Sequence, residues 1–274
     1  MPKRVSNQIK AVEQILSDWL VHYQDSEVAR QAEALPLRRD METLLTFVRD
    51  NKVVGIPGTG NMPLKAVREV TARFVEPPKL EGTIYGVPFR IRSETELWPL
   101  YFLRVVAEVG GLLKPAPARL WRLTRKGQDF LGVRPMLQSP YLLTTWWHKV
   151  NWLIAYPFAG MGEALPPFFS LFTLHFLLAL PSETLIFFDD FADVVIAQTE
   201  LTWNAPESSM ATSLLHGSIE RMVIDILVAF GAMECEYCEE PFGKDTISRL
   251  VAFQITPLGR ALLEAVAISA RGML

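Results

Sequence analysis

The sequence predicts a mainly helical α+β protein: an N-terminal helix followed by two helical modules, each closed by a small β wing. Three observations predict this. Residues 120–131 (Leu-Trp-Arg-Leu-Thr-Arg-Lys-Gly-Gln-Asp-Phe-Leu) and residues 253–263 (Phe-Gln-Ile-Thr-Pro-Leu-Gly-Arg-Ala-Leu-Leu) share one grammar. In each, an apolar alternation ends at a Thr, a Gly follows three residues on, and an apolar helix begins. Upstream of each copy an apolar helical stretch stops at glycine, at Gly110-Gly111 and at Gly231. Half of the 274 residues are apolar, enough for two cores of ordinary size.

The expected organisation is an N-terminal helical segment (1–38), a first module (39–135) and a second module (136–274). Charge divides the same way. Residues 39–135 hold 16 Lys and Arg against 10 Asp and Glu, net +6, while residues 136–274 hold 6 against 15, net −9. A basic module suits nucleic acid and an acidic one does not; the alternative is that oppositely charged modules attract each other or pair head to tail. Two cysteines build no disulfide framework, which fits a reducing cytoplasm. The opening Met-Pro-Lys-Arg lacks the apolar core of a secretory signal. The most apolar run, 168–180, is too short to cross a bilayer and reads as a buried core helix.

In chain order, residues 7–22 place Ile9, Val12, Ile15, Leu16, Trp19 and Leu20 on one helical face, with Ser6 as a cap. Residues 25–37 read as a short helix or linker, and 41–48 as the first helix of the first module. A strand at 53–54 enters a Gly/Pro turn, and Pro63 opens a helix over 64–75. Residues 83–92 read as a hairpin insert. Residues 96–109 form a helix apolar on most sides, whose only charges are Glu96, Arg104 and Glu108. It reads as a core or interface helix, since helices that read DNA bases carry polar groups. Residues 112–123 form the short first wing. In the second module, helices are expected over 141–156, 168–180, 182–198 (capped by Ser182) and 207–230. The second wing, 233–240 with 250–255, is 12 residues longer than the first when measured between flanking glycines, with Pro241-Phe-Gly243 at its tip.

Several lures dissolve on inspection. Cys235-x-x-Cys238 supplies two zinc ligands where four are needed, and on a strand the two thiols face opposite ways. Gly55–Gly60 lacks both Walker and GxGxxG spacing and reads as a turn. His148 among Trp146, Trp147 and Trp152 has no nucleophile or carboxylate pair beside it. Asp189, Asp190 and Asp193 read as a solvated face rather than a cation site. No catalytic constellation, cofactor site or metal site is expected. The strongest functional signal is basic: Arg119, Arg122, Arg125 and Lys126 cluster on the first wing and the helix start behind it, and Arg68 and Arg73 (with Arg90 and Arg92) extend the candidate patch.

The two wing–Thr–Gly–helix endings resemble those of winged helix-turn-helix proteins of the bacterial regulator type. The chain is also similar to a group of bacterial proteins of unestablished activity, through Thr59–Val67, residues 120–131, residues 147–152 and residues 253–263. The winged-helix resemblance implies DNA binding and regulation. The alternative expectation is a protein-interaction scaffold that keeps the winged-helix shape without DNA, with a protein partner or a second copy of itself.

Overall fold

The computed structural model describes residues 16–23, 26–84, 86–155, 165–203, 208–242 and 245–271. It is mainly helical with small antiparallel sheets, 59% helix against 16% strand. The chain divides into two compact units, residues 1–150 and 151–274. The expected boundary at Pro135 coincides instead with the start of a helix that packs on the first unit.

The first unit opens with α1 (Ser17–Tyr23), α2 (Glu27–Ala34) and α3 (Pro36–Asp50). The expected helix over 7–22 lies mostly outside the described residues. Ser26 caps α2, its Oγ accepting from Ala29 N. Helix α3 starts earlier than its apolar pattern shows, because Pro36 at its first turn fits a position with no hydrogen-bond duty. Met41, Leu44, Leu45 and Val48 make its buried stripe. Then come α4 (Leu64–Thr71), the hairpin β1 (Glu81–Ile84) and β2 (Val87–Arg90), α5 (Trp98–Val109), β3 (Leu113–Ala116), β4 (Leu120–Leu123), α6 (Arg125–Phe130) and α7 (Pro135–Lys149). Helix α7, expected to run over 141–156, begins six residues earlier and is buried from Met136 to Trp147 against α2, α3 and α5. Its polar groups are tied in: Gln138 accepts from Arg38 Nη1 (2.7 Å) and donates to the Phe130 carbonyl (2.9 Å).

The second unit contains α8 (Trp152–Ala155), α9 (Phe169–Ala179), β5 (Ile186–Phe187), α10 (Phe188–Thr199), α11 (Ser208–Ile219), a π turn (Glu220–Ile224), α12 (Asp225–Ala229), β6 (Met233–Phe242), β7 (Asp245–Ile255) and α13 (Pro257–Arg271). Three expectations need correction. Residues 182–187 are not helical: Ser182 caps nothing and instead accepts from Arg260 Nε at 2.9 Å, while Ile186 and Phe187 pair with β7. Within the second unit α9 is not buried all round, since Phe168 and Leu171 are about half exposed. The second wing is longer than expected as well as longer than the first, with a bulge where Val251 has no partner between the Glu236–Ala252 and Tyr237–Leu250 pairs. Gly243, expected at its tip, lies outside the described residues.

The two units repeat one junction almost atom for atom. Helix α5 ends with Gly111 in the left-handed region (φ 72°), where Gly111 N donates to Glu108 O (2.9 Å) and Leu112 N to Ala107 O (2.7 Å). Helix α12 ends with Gly231 (φ 62°), where Gly231 N donates to Val228 O (2.8 Å) and Ala232 N to Leu227 O (2.7 Å). Both are Schellman stops, which a residue without Cβ enters at least cost. The Thr at the end of each wing then does two things. Thr124 Oγ1 donates to Gly111 O (2.7 Å) and accepts from Gly127 N (2.9 Å). Thr256 Oγ1 donates to Gly231 O (2.8 Å) and accepts from Gly259 N (2.9 Å). One hydroxyl thus clamps the end of one helix to the start of the next. The glycine three residues on is required because a Cβ at Gly127 or Gly259 would collide with the carbonyl of Leu112 or Ala232. Pairing order repeats too: β5 lies beside β7, the second strand of its wing, and Val54 bridges antiparallel to Leu120 on β4, the second strand of the first wing.

Candidate functional site

The wing of the first unit is where the basic residues gather. Strands β3 and β4 pair with Leu113 opposite Leu123, Lys114 opposite Arg122 and Pro115 opposite Trp121. Alternation sends Trp121 inward, where it is 3% exposed, its Nε1 donates to Gly60 O (2.9 Å), and the Arg104 guanidinium lies 5.4 Å from its ring centre. The same alternation turns Arg122 and Lys114 to the outer face, both exposed. Two like charges directly opposite on a ribbon cost stability, of the order of a few tenths to about 1 kcal/mol. Neither has an ion-pair partner among the described residues.

A third strand edge continues this face. Gly55 N donates to Arg119 O and Trp121 N to Val53 O, both 2.9 Å, on either side of the Val54–Leu120 bridge. The register carried one pair further sets Lys52 beside Arg122. Both line a groove of 430 Å³ at the end of α3, with Asn51 and Gln128 as neutral polar neighbours. Of the other charges there, Arg49 is paired with Asp50 at 2.7 Å. Lys52 and Lys114 escaped sequence reasoning because each stands alone in the chain, and only strand pairing places them with Arg122.

The remaining candidates are scattered. Arg119 is exposed at the wing tip, where it and Ala118 both adopt left-handed backbone (φ 61° and 60°), a conformation L-residues other than Asn and Asp seldom hold. Arg125 is exposed at the start of α6 and already engaged with a neighbour. Lys126 is half-buried, its Nζ 5.2 Å from the Tyr141 ring centre, and burial, then the nearby Lys149 charge, lowers its pKa to about 8. Arg68 is exposed on α4. Arg73 stacks on the Phe47 ring at 5.3 Å and lines a different groove, of 640 Å³, with Arg39 and Glu42. Arg90 pairs loosely with Glu81 across β1 and β2 at 3.7 Å.

Helix α5 exposes only its two ends, Trp98 and Pro99 at the start and Glu108 and Val109 at the finish. Residues 100–107 are buried without interruption. Arg104 is held by fully buried Glu94 and by Glu108 at 2.8 Å. Glu94 also accepts from Met62 N at 2.6 Å, and burial, against the pull of Arg104, raises its pKa. The ion pair ties the segment before α5 to α5 itself, and the Met62 bond fastens the same carboxylate to the segment that enters α4.

The other lures have structural duties. In the Gly/Pro turn, Gly58 and Gly60 hold left-handed backbone and Gly60 O receives Trp121. Asp189 and Asp193 flank His216, at 3.2 Å from Nδ1 and 2.9 Å from Nε2, and Asp189 also receives Arg249 at 2.6 Å. Cys235 and Cys238 are free thiols on opposite faces of β6; burial, more than the surrounding acids, pushes Cys235 up to about 11, which makes it a poor nucleophile. Among the described residues no group of three His, Cys, Asp or Glu side chains is placed to hold a metal ion, and no helix is long and apolar enough to cross a membrane. No family model, curated protein or solved structure matches the chain.

Proposed function

We propose that the protein is a nucleic-acid-associated binding protein, not an enzyme, and that it binds through the basic wing of its first unit. With the β1–β2 hairpin of the first unit set aside as an insert, both units contain the order helix, strand edge, helix, helix, two-stranded wing, helix, with the strand edge beside the wing's second strand. We read that order as a pair of winged helices. The observation that carries the binding reading is the exposed, unpaired Lys114–Arg122 couple across the wing. A fold tolerates such a couple most readily when an anion shared between the two side chains offsets the repulsion. Because α5 is buried and Arg104 is occupied, contact with bases is absent from this reading, and affinity is set by phosphates.

Fluorescence-anisotropy titration of random-sequence duplex DNA tests it, at about 50 mM and about 200 mM salt. Binding that weakens steeply with salt and changes little between unrelated sequences is expected. Absence of binding at the lower salt refutes the reading. A second reading, a protein-interaction scaffold, draws on the second unit, where Phe187, Met210 and Leu171 are each more than half exposed in an acidic unit. Under that reading light scattering finds self-association or a pull-down finds a partner, and DNA has no effect on either.

A further inference from the structure

We infer that the anion site is a single row of three cations, Lys52, Arg122 and Lys114, laid across the outer face of the β3–β4 ribbon and the edge that Val54 bridges to it, and that its ligand is a run of about three phosphates of a nucleic-acid backbone. This rests on the nucleic-acid reading above and says which residues do the binding and how many charges they neutralise. The row is new in two of its three members, and it faces away from α5, because Trp121, next to Arg122 on β4, is the residue turned towards Arg104 of that helix.

The second unit supplies an internal comparison. With Thr124 matched to Thr256 and Gly111 to Gly231, Arg122 corresponds to Gln254 and Lys114 to Glu234. The strand-edge pairs, Val54 with Leu120 and Phe187 with Ala252, match Lys52 to Leu185. The same three positions of the same sheet are therefore Lys, Arg, Lys in one unit and Leu, Gln, Glu in the other. In the second unit the pair satisfies itself, Gln254 Nε2 donating to Glu234 Oε2 at 2.7 Å. In the first unit the pair has donors only, so nothing within the row can accept from it. The scaffold does not demand cations here, and their presence in one copy alone marks a ligand that the other copy does not take.

Spacing sets the class of ligand. Three neighbouring strands place the ends of the row about 10 Å apart. Each long Lys or Arg side chain reaches past its own strand, so a row of three cations engages about three successive phosphates of one nucleic-acid strand. Gln128 in the adjoining groove adds a neutral donor of the kind that holds phosphate oxygens, while Asn51 Nδ2 is used to cap α3 through Phe47 O. A row of this length meets a polymer better than a single small anion, which one or two of the three side chains would saturate.

The experiment is the salt dependence of duplex DNA binding for the full chain, compared among wild type, the triple variant Lys52→Gln/Lys114→Gln/Arg122→Gln, and the control Arg30→Gln/Lys79→Gln, two exposed cations outside the candidate patch. Each phosphate contact contributes about 0.9 to the slope of log affinity against log salt. The triple variant is therefore expected to have a slope shallower by about 2.7, and the control a slope equal to wild type. Removing like charges leaves the sheet at least as stable, so the triple variant is expected to melt at or above the wild-type temperature, which separates lost contacts from lost folding. A wild-type slope retained by the folded triple variant overturns the row while leaving nucleic-acid binding intact. Failure of wild type itself to bind overturns the nucleic-acid reading and the row with it. Equal competition by inorganic phosphate and by DNA at matched phosphate concentration overturns the polymer assignment.

Discussion

Alanine at Gly127 or Gly259 sets helix propensity against packing. In a helix free of neighbours, Gly→Ala stabilises by roughly 0.5–1 kcal/mol. Gly217, inside α11 with no atom within 4 Å of where its Cβ would stand, is the site where that gain should be seen. At Gly259 the new Cβ would lie 2.7 Å from the Ala232 carbonyl carbon and closer still to its oxygen; at Gly127 it would lie 3.1 Å from the Leu112 carbonyl carbon, again with the oxygen nearer. Backbone cannot swing aside as a side-chain tip can, so the helix start must retreat by about an ångström. Such overpacking costs about 1–3 kcal/mol. The retreat also stretches the Thr cap, worth about 1 kcal/mol, and the Thr-to-glycine carbonyl bond, worth about 1 kcal/mol. Set against the propensity gain, each variant should lose about 2–4 kcal/mol. Urea unfolding, followed by circular dichroism and fitted for each transition, measures it. If Gly127→Ala or Gly259→Ala is as stable as Gly217→Ala, the clash-and-cap account of the repeated junction is wrong.

Thr124→Val and Thr256→Val keep shape while removing the clamp hydroxyl, and each should destabilise its own unit by about 1–2 kcal/mol, measured by thermal melting; a cost in one copy alone would break the equivalence of the junctions. Glu94→Ala leaves buried Arg104 and the Met62 N–H without their acceptor, and about 3–5 kcal/mol should be lost, with Glu94→Gln losing less; equal losses for the two would deny the carboxyl its accepting role. For Lys126, the unfolded chain holds its proton up to about the ordinary 10.5, whereas the folded protein releases it near about 8. Between those values the folded state binds fewer protons, so its contribution to stability rises with pH across that window. Lys126→Arg should remove that pH dependence, measured as the melting temperature across the window.

Much of the architecture is legible because it rests on local chemistry. The Thr-x-x-Gly endings, the glycine helix stops and the apolar periods of α3 and α5 are set by neighbours within a few residues, and all are found where the pattern puts them. The burial of α5 is legible for the same reason, since an apolar helix with two charges has little face to offer water. Boundaries fare less well. Helix α7 starts at Pro135 because three helices of the first unit cover it, and 182–187 leave the helical state because β7 offers Ile186 and Phe187 a ladder. Propensity carries neither fact.

The site divides along the same line. A basic first half and an acidic second half, and the placing of Arg122 on a wing, follow from the sequence alone. Which charges act together does not. Lys52 and Arg122 meet through a strand bridge 70 residues long in sequence, and Lys114 joins them through the turn of the wing. Burial, then the nearby Lys149 charge, lowers the Lys126 pKa, and Arg104 is taken out of play by Glu94. Capping and periodicity act over one or two helical turns, so residue order determines them. Charge clustering, burial and ion pairing depend on distances that exist only once strands have paired and helices have packed, so the tertiary structure decides them.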